Sequence, residues 1–187
     1  MKKIRLFFLV ILVSACQNKG IYSESKNKVA TSTKGAVSTA HPLATNAAVE
    51  ILSDGGNAMD AAIAAAFTLT VVEPTMNGLG GRTQILIYDP NSGFHGIDAT
   101  TVAPNDYNYE NAPKKRYGYP SIGIPGTVKG LVKALEEYGT LPLSNVMVDA
   151  IMHAENGHYL IEGEARRMES VNDKLNEFNG TSYYFTN

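Results

Sequence analysis

The chain has 187 residues, of which 44% are hydrophobic and 18% are charged, and its formal net charge at pH 7 is −2. This composition excludes a disordered chain and is sufficient for one domain with a sizeable core. The chain has no basic surplus, which argues against a nucleic-acid-binding protein.

The first fifteen residues have the pattern of a signal peptide. Three basic residues precede a short apolar stretch, and small residues then lead to the single cysteine, Cys16. The apolar stretch is too short for a membrane-spanning helix. The position of Cys16 resembles a bacterial lipobox, with an ordinary signal peptide as the alternative. We therefore predict a signal peptide at 1–15, a lipidated Cys16 that anchors an exported protein in a membrane, and an outer-membrane location because Gln17 follows.

The tether and the start of the domain come next along the chain. Residues 16–34 are polar and are predicted to form a flexible tether, followed by one domain over residues 35–187. Residues 35–40 are a candidate strand. His41-Pro42 then begins a helix that is expected to run to about Ser53, since proline suits the first helical turn.

A second predicted helix is apolar on every side. Asn57 is its expected N-cap, and Asp60 lies in the first turn, where an acidic side chain is favourable. Residues 61–72 read AAIAAAFTLTVV, so we expect this helix to be buried all round. Pro74 marks its end, within a glycine-rich loop, EPTMNGLGGR, that occupies residues 73–82.

The remainder of the chain predicts a hairpin and three more helices. Strands are expected at residues 85–89 and 94–98, on either side of the turn PNSG. Residues 99–119 lack periodicity and are predicted to form a long loop. Helical spacing of apolar residues then predicts helices at 127–138, at about 144–155 and at about 162–178.

Nucleotide and metal sites do not fit the sequence. The glycine-rich loop lacks the glycine spacing of a dinucleotide fingerprint and the Lys-Ser/Thr of a P-loop, and it lies between a helix and a strand. His153 and His158 are five residues apart, which does not place both on one helical face. Capping or surface roles are therefore favoured for the histidines, and neither a metal nor a cofactor is predicted.

Three stretches resemble, in the same order, the gamma-glutamyltransferase family. They are STAHPLATNAAVEILSDGGNAMDAAIAAAFTLTVVEPTMNGLGG, SIGIPGTVKGLVKALEEYGTLP and DAIMHAENGHYL, and the resemblance covers about residues 35–167. It implies an α+β fold, part of an αββα four-layer sandwich of the N-terminal-nucleophile hydrolase type. It also implies cofactor-free acyl transfer or hydrolysis of γ-glutamyl amides such as glutathione, by the N-terminal threonine of a small subunit that is cut from a precursor.

The nucleophile is the first departure from the family pattern. We find no Thr-Thr-His segment of the kind that begins the small subunit, because Thr100-Thr101 is followed by Val102 and lies in the wrong region. We therefore expect an N-terminal part of the large subunit that is inactive by itself. Its partner is the small subunit, from the same precursor or an adjacent chain. The alternative is a non-catalytic binding lipoprotein derived from this scaffold.

Carboxylate binding is the second departure. Thr100 stands where the family has an arginine that holds the substrate's α-carboxylate, whereas Arg82 stands where relatives commonly have a glycine. A threonine cannot form a charged, bidentate contact. We predict that Arg82 replaces the lost charge, with Gly80, Gly81 and Thr100 beside the substrate. The alternative is a solvent-facing arginine at a strand start.

Overall fold

The computed structural model describes residues 29–110, 112, 114 and 117–186. The chain divides into two compact units, Met1–Thr31 and Ser32–Asn187, and the described helices and strands all lie in the second. The predicted signal peptide at 1–15 and the lipidated Cys16 lie outside the described residues, as does most of the tether. Within the described ranges, no helix is long and apolar enough to cross a membrane.

Two helices that pack against each other begin the domain, and a side chain caps the start of each. Helix α1 is Pro42–Ser53, and the His41 ring nitrogen Nδ1 accepts a hydrogen bond from the Leu43 amide at 3.2 Å. Helix α2 is Ala58–Val72, and Asn57 and Asp60 form a reciprocal capping box at its start. The predicted N-cap at Asn57 is therefore confirmed, because its side chain satisfies amides that the helix leaves unpaired.

The hairpin is also confirmed, with slightly longer strands than predicted. Strand β1 (Thr83–Asp89) pairs antiparallel with β2 (Gly93–Ala99), in a register that joins Thr83 to Ala99 and Asp89 to Gly93. The long loop that follows contains a short 3-10 helix, Tyr119–Ser121. Ile124 then brings the chain back toward the hairpin, since it forms an isolated antiparallel bridge with Val102.

The C-terminal helices are more broken than the sequence predicts. Helix α3 spans Thr127–Tyr138 as expected. The helix predicted at about 144–155 is two helices, and the one predicted at about 162–178 ends at Ser170, because the chain leaves helical geometry at Val171 (φ −113°, ψ 4°). Apolar periodicity continues across such breaks, so it does not reveal them. The helices after α3 are α4 (Leu143–Val146), α5 (Val148–Asn156), α6 (Glu162–Ser170), α7 (Asn172–Asn176) and α8 (Asn179–Phe185).

The strand predicted at residues 35–40 is not formed. This segment carries no strand or bridge assignment in the structure, and no described residue pairs with it in a ladder. A strand needs a neighbour to accept and donate its backbone hydrogen bonds. The sequence pattern alone does not supply that neighbour, so the prediction was wrong for this structure.

The core is centred on α2, but one side of that helix is open. Ile63 and Phe67 are buried and pack in one cluster with residues of α3, α4 and α5, and Val72 at the end of the helix is also buried. Ala62, by contrast, is exposed, and Ala66 and Leu69 on the same face are only half-buried. The expectation of burial all round was therefore wrong, because no other described element covers this face.

Candidate functional site

The glycine-rich loop forms one wall of a cavity of about 670 Å³. The end of α2 forms a second wall, and the first residues of β1 and α3 form the rest of the cavity lining. Most of the loop contributes to the surface, which mixes backbone, small polar side chains and one cation. The loop residues in the lining are Pro74, Thr75, Met76, Asn77, Gly78, Gly80, Gly81 and Arg82.

The glycines of the loop differ in how strongly their surroundings require glycine. A side chain on Gly81 would place its Cβ 2.9 Å from the Gly78 carbonyl oxygen, which also accepts a hydrogen bond from the Gly81 amide at 3.0 Å. Gly81 is thus required by a tight turn. At Gly78 and Gly80, a Cβ would meet no described atom within 4 Å. Both residues line the cavity, and no contact with another described residue requires glycine at either position.

Arg82 and Thr100 lie at the same end of the hairpin, although 18 positions separate them in the sequence. The β1–β2 register pairs Thr83 with Ala99, and Arg82 and Thr100 are the residues that directly adjoin this last pair, just outside the strands. Arg82 is exposed, lines the cavity and forms no salt bridge with another described residue. Thr100 is half-buried, donates its amide to Asp98 Oδ1 at 3.1 Å and does not line the cavity.

A charged network, which the sequence did not reveal, fixes the first half of the loop. The buried Glu164 of α6 accepts hydrogen bonds from the Thr75 amide at 3.0 Å and the Thr75 hydroxyl at 2.7 Å. Arg167 joins Glu164 Oε2 (2.7 Å) to Glu73 Oε1 (2.9 Å) through Nη2. Burial raises the pKa of Glu164, but the hydrogen bonds from Thr75 and Arg167 outweigh it and leave the pKa below its usual value.

Three histidines meet near the C-terminal end of α2. The rings of His41 and His158 are 6.3 Å apart, and those of His153 and His158 are 6.2 Å apart. The capping role predicted for the histidines is confirmed at His41, although that residue is buried and not at the surface. Burial lowers the pKa of His41, with His158 adding to the effect, and burial followed by the nearby His153 lowers the pKa of His158.

Comparison with known proteins identifies the family. The family model described as gamma-glutamyltranspeptidase matches residues 44–187. The chain belongs to this family. A glutathione hydrolase proenzyme of Bacillus subtilis (strain 168) is 35% identical over 152 residues, which cover 75% of this chain and 26% of the relative. An acylase ACY 1 proenzyme of Pseudomonas sp. (strain V22) is 41% identical over 150 residues, which cover 71% of this chain and 26% of the relative.

Solved gamma-glutamyltranspeptidase-like structures share the fold. The enzyme of Helicobacter pylori superposes with a TM-score of 0.80 at 30% identity, covering 85% of this chain and 48% of that one. The transpeptidase CapD of Bacillus anthracis gives a TM-score of 0.69 at 29% identity, covering 81% and 49%. The predicted α+β fold of the N-terminal-nucleophile hydrolase type is therefore confirmed. The chain spans about a quarter of the length of the curated relatives named above.

Proposed function

We propose that this chain is the N-terminal segment of a gamma-glutamyltransferase or hydrolase that acts on glutathione-like γ-glutamyl amides. The observation that carries the proposal is the family match over residues 44–187, together with a cavity that the glycine-rich loop lines. The glutathione hydrolase relatives support this substrate class. The acylase relatives make a different acyl group the main competing substrate.

The proposed partner is the nucleophile-bearing part of a family precursor, which fits the relatives' designation as proenzymes. Two apolar faces support it. The outer face of the hairpin presents Leu86, Tyr88 and Phe94, which are 76%, 63% and 72% exposed. The open face of α2 carries Ala62 and Ala66. A sheet and a helix with such faces are normally covered by a further layer of the same domain.

Catalysis is proposed to need the nucleophilic threonine of the small subunit, and the Thr-Thr-His segment that would carry it does not occur in this sequence. The test expresses the mature chain alone and, separately, together with the reading frame that follows the Asn187 codon, and measures glutamate release from glutathione. We expect no activity from the chain alone and hydrolysis once the second part is present. A genuine stop codon with no related reading frame behind it, and cooperative unfolding of the isolated chain, would instead support a non-catalytic binding lipoprotein.

We further propose that Arg82 binds the substrate's α-carboxylate in place of an arginine at position 100. The hairpin register supports this exchange, because Arg82 and Thr100 directly adjoin the same strand pair, Thr83 and Ala99, and Arg82 lines the cavity. In the catalytically complete protein, Arg82→Ala should raise KM for a γ-glutamyl amide by roughly 10- to 100-fold, the loss expected for a charge-assisted hydrogen bond.

A charge swap provides the control for this experiment. The double variant Arg82→Gly, Thr100→Arg moves the guanidinium to the family's usual position and should recover most of the lost affinity. Lys129→Ala, which removes an exposed cation from α3, should leave KM unchanged. Unchanged KM in Arg82→Ala would show instead that Arg82 is a solvent-facing residue at a strand start.

The anchor is proposed on Cys16, which follows a short apolar stretch and small residues. Each buried methylene of an attached acyl chain contributes about 0.8 kcal/mol to membrane binding. Labelled palmitate should be incorporated into the wild type and not into Cys16→Ser, and the wild type should fractionate with the outer membrane. Equal labelling of both proteins would contradict lipidation at this residue.

A further inference from the structure

Glu164 places a buried carboxylate against the backbone of the glycine-rich loop. Its side chain is completely buried, and both oxygens accept hydrogen bonds from Thr75, 89 residues earlier in the chain. Thr75 also lines the cavity, as do its neighbours Met76 and Asn77. The contact therefore joins α6 directly to the wall of the candidate site.

Arg167 extends this contact to the end of α2. Its Nη2 donates to Glu164 at 2.7 Å and to Glu73 at 2.9 Å, and its Nε donates to the Thr75 hydroxyl at 2.9 Å. Glu73 in turn accepts from the Asn77 side-chain amide at 3.0 Å. A planar guanidinium with several donors can make these contacts together, whereas a lysine ammonium cannot match their geometry.

The network fixes only one end of the loop, and the other end is held separately. At the far end, Thr83 begins β1, and its hydroxyl lies 2.9 Å from that of Thr127. Between the two ends, residues 78–81 carry three glycines and one exposed leucine, and the backbone hydrogen bond from the Gly81 amide to the Gly78 carbonyl oxygen stays within this segment. The path of the middle of the loop therefore depends on where its two ends are held.

Keeping a buried carboxylate at this position is costly unless every oxygen is paired. Here the pairing is complete, and it joins a loop to a helix that contributes no residue to the cavity lining. We propose that Glu164 and Arg167 are positioning residues, which hold the glycine-rich loop so that Gly80, Gly81 and Arg82 face the cavity in one arrangement. The effect on the ligand rests on the proposed function, whereas the ordering of the loop does not.

The first test measures amide hydrogen exchange in the complete gene product for Glu164→Gln and Arg167→Lys. Amides of residues 75–82 should exchange about tenfold faster in Glu164→Gln, whereas those of α1 and α3 should be unaffected. Arg167→Lys keeps the charge and should give a smaller increase at the same amides, which keeps the proposal testable if Glu164→Gln does not fold. Matched controls on the same helix are Glu162→Gln and Arg166→Lys, an exposed pair 3.3 Å apart.

The second test separates positioning from general stability. KM for a γ-glutamyl amide should rise about tenfold in Glu164→Gln with kcat within about twofold, because the loop binds the substrate but does not supply the nucleophile. Faster exchange spread evenly over the whole domain, or equal effects in the two control variants, would overturn the proposal. A wild type that neither binds nor hydrolyses γ-glutamyl amides would refute the proposed function, while the exchange data would still decide whether the network orders the loop.

Discussion

The two ends of α2 are each held by a buried carboxylate, but the surroundings of the two carboxylates differ. At the N-terminal end, Asp60 accepts hydrogen bonds from the Asn57 amide at 2.8 Å, the Thr140 amide at 2.8 Å and the Leu141 amide at 3.1 Å. All these donors are neutral backbone groups, and the Thr140 hydroxyl adds a fourth bond at 2.6 Å. Beyond the C-terminal end, Glu164 depends on a charged partner, Arg167, as well as on Thr75.

The contacts of Asp60 hold the helical scaffold together, whereas those of Glu164 hold the glycine-rich loop. Asp60 belongs to α2 itself and ties it to the segment after α3, so its donors are part of the folded frame. Glu164 comes from another helix and reaches a loop that lines a cavity. The donors around Asp60 carry no charge, so salt should have little effect on these bonds. The side chain of Arg167 is 38% exposed, so water and salt can weaken its ion pair with Glu164.

The largest effect is expected when the scaffold contact is removed. Asp60→Ala should lower the free energy of unfolding by roughly 3 kcal/mol or more, since each buried donor that loses its acceptor costs about 1–3 kcal/mol. Denaturant unfolding would measure the change. Asp54→Ala, which removes an exposed acid just after α1, is the matched control and should have almost no effect. A small effect of Asp60→Ala would remove the distinction between the two ends of α2.

Acidification should weaken the C-terminal end of α2 first. The pKa values of His41 and His158 lie below the ordinary value of 6.5, so the unfolded chain gains protons at a higher pH than the folded one. Stability is therefore complete above pH 6.5 and falls as the pH drops toward the lowered pKa values. The pKa values of Asp60 and Glu164 are also lowered, but they affect stability only at lower pH. The stability that these two carboxylates contribute is lost only below their ordinary pKa values of 3.8 and 4.5.

Unfolding experiments between pH 8 and pH 3 would check this order. His158→Gln should flatten the decline that begins near pH 6.5 and leave the decline at lower pH in place. The titratable groups close to His158 are His41, His153 and Glu164. Any pH dependence of the unfolding free energy that persists in His158→Gln is therefore expected to come from those groups. An identical slope in the wild type and in His158→Gln would show that the histidine cluster does not control the acid response.

The smallest effect on stability is expected at Arg82. Its side chain is exposed and forms no salt bridge with another described residue, so Arg82→Ala should change the free energy of unfolding by less than about 0.5 kcal/mol. Thermal unfolding without ligand measures this directly. A large loss of stability would mean that Arg82 supports the fold, and it would make a loss of substrate affinity in the same variant uninformative about carboxylate binding.

Local signals in the sequence were sufficient for much of the scaffold. The N-cap at Asn57, the first two helices and the hairpin all depend on residues within a few positions of one another, and the structure confirms them. The segment at residues 35–40 shows the limit of such signals. Its pattern is that of a strand, but pairing needs another strand, which the local sequence does not specify.

The sequence by itself determined the family, the fold class and the position of the glycine-rich loop, because these follow from ordered motifs and local periodicity. Only the tertiary structure showed that Arg82 and Thr100 adjoin the same end of the paired strands, since the register of two strands relates positions far apart in the chain. Only the tertiary structure, likewise, brought Glu164 and Arg167 to Thr75. In the sequence these two read as ordinary charges on a surface helix, and burial against a distant loop gives them their role.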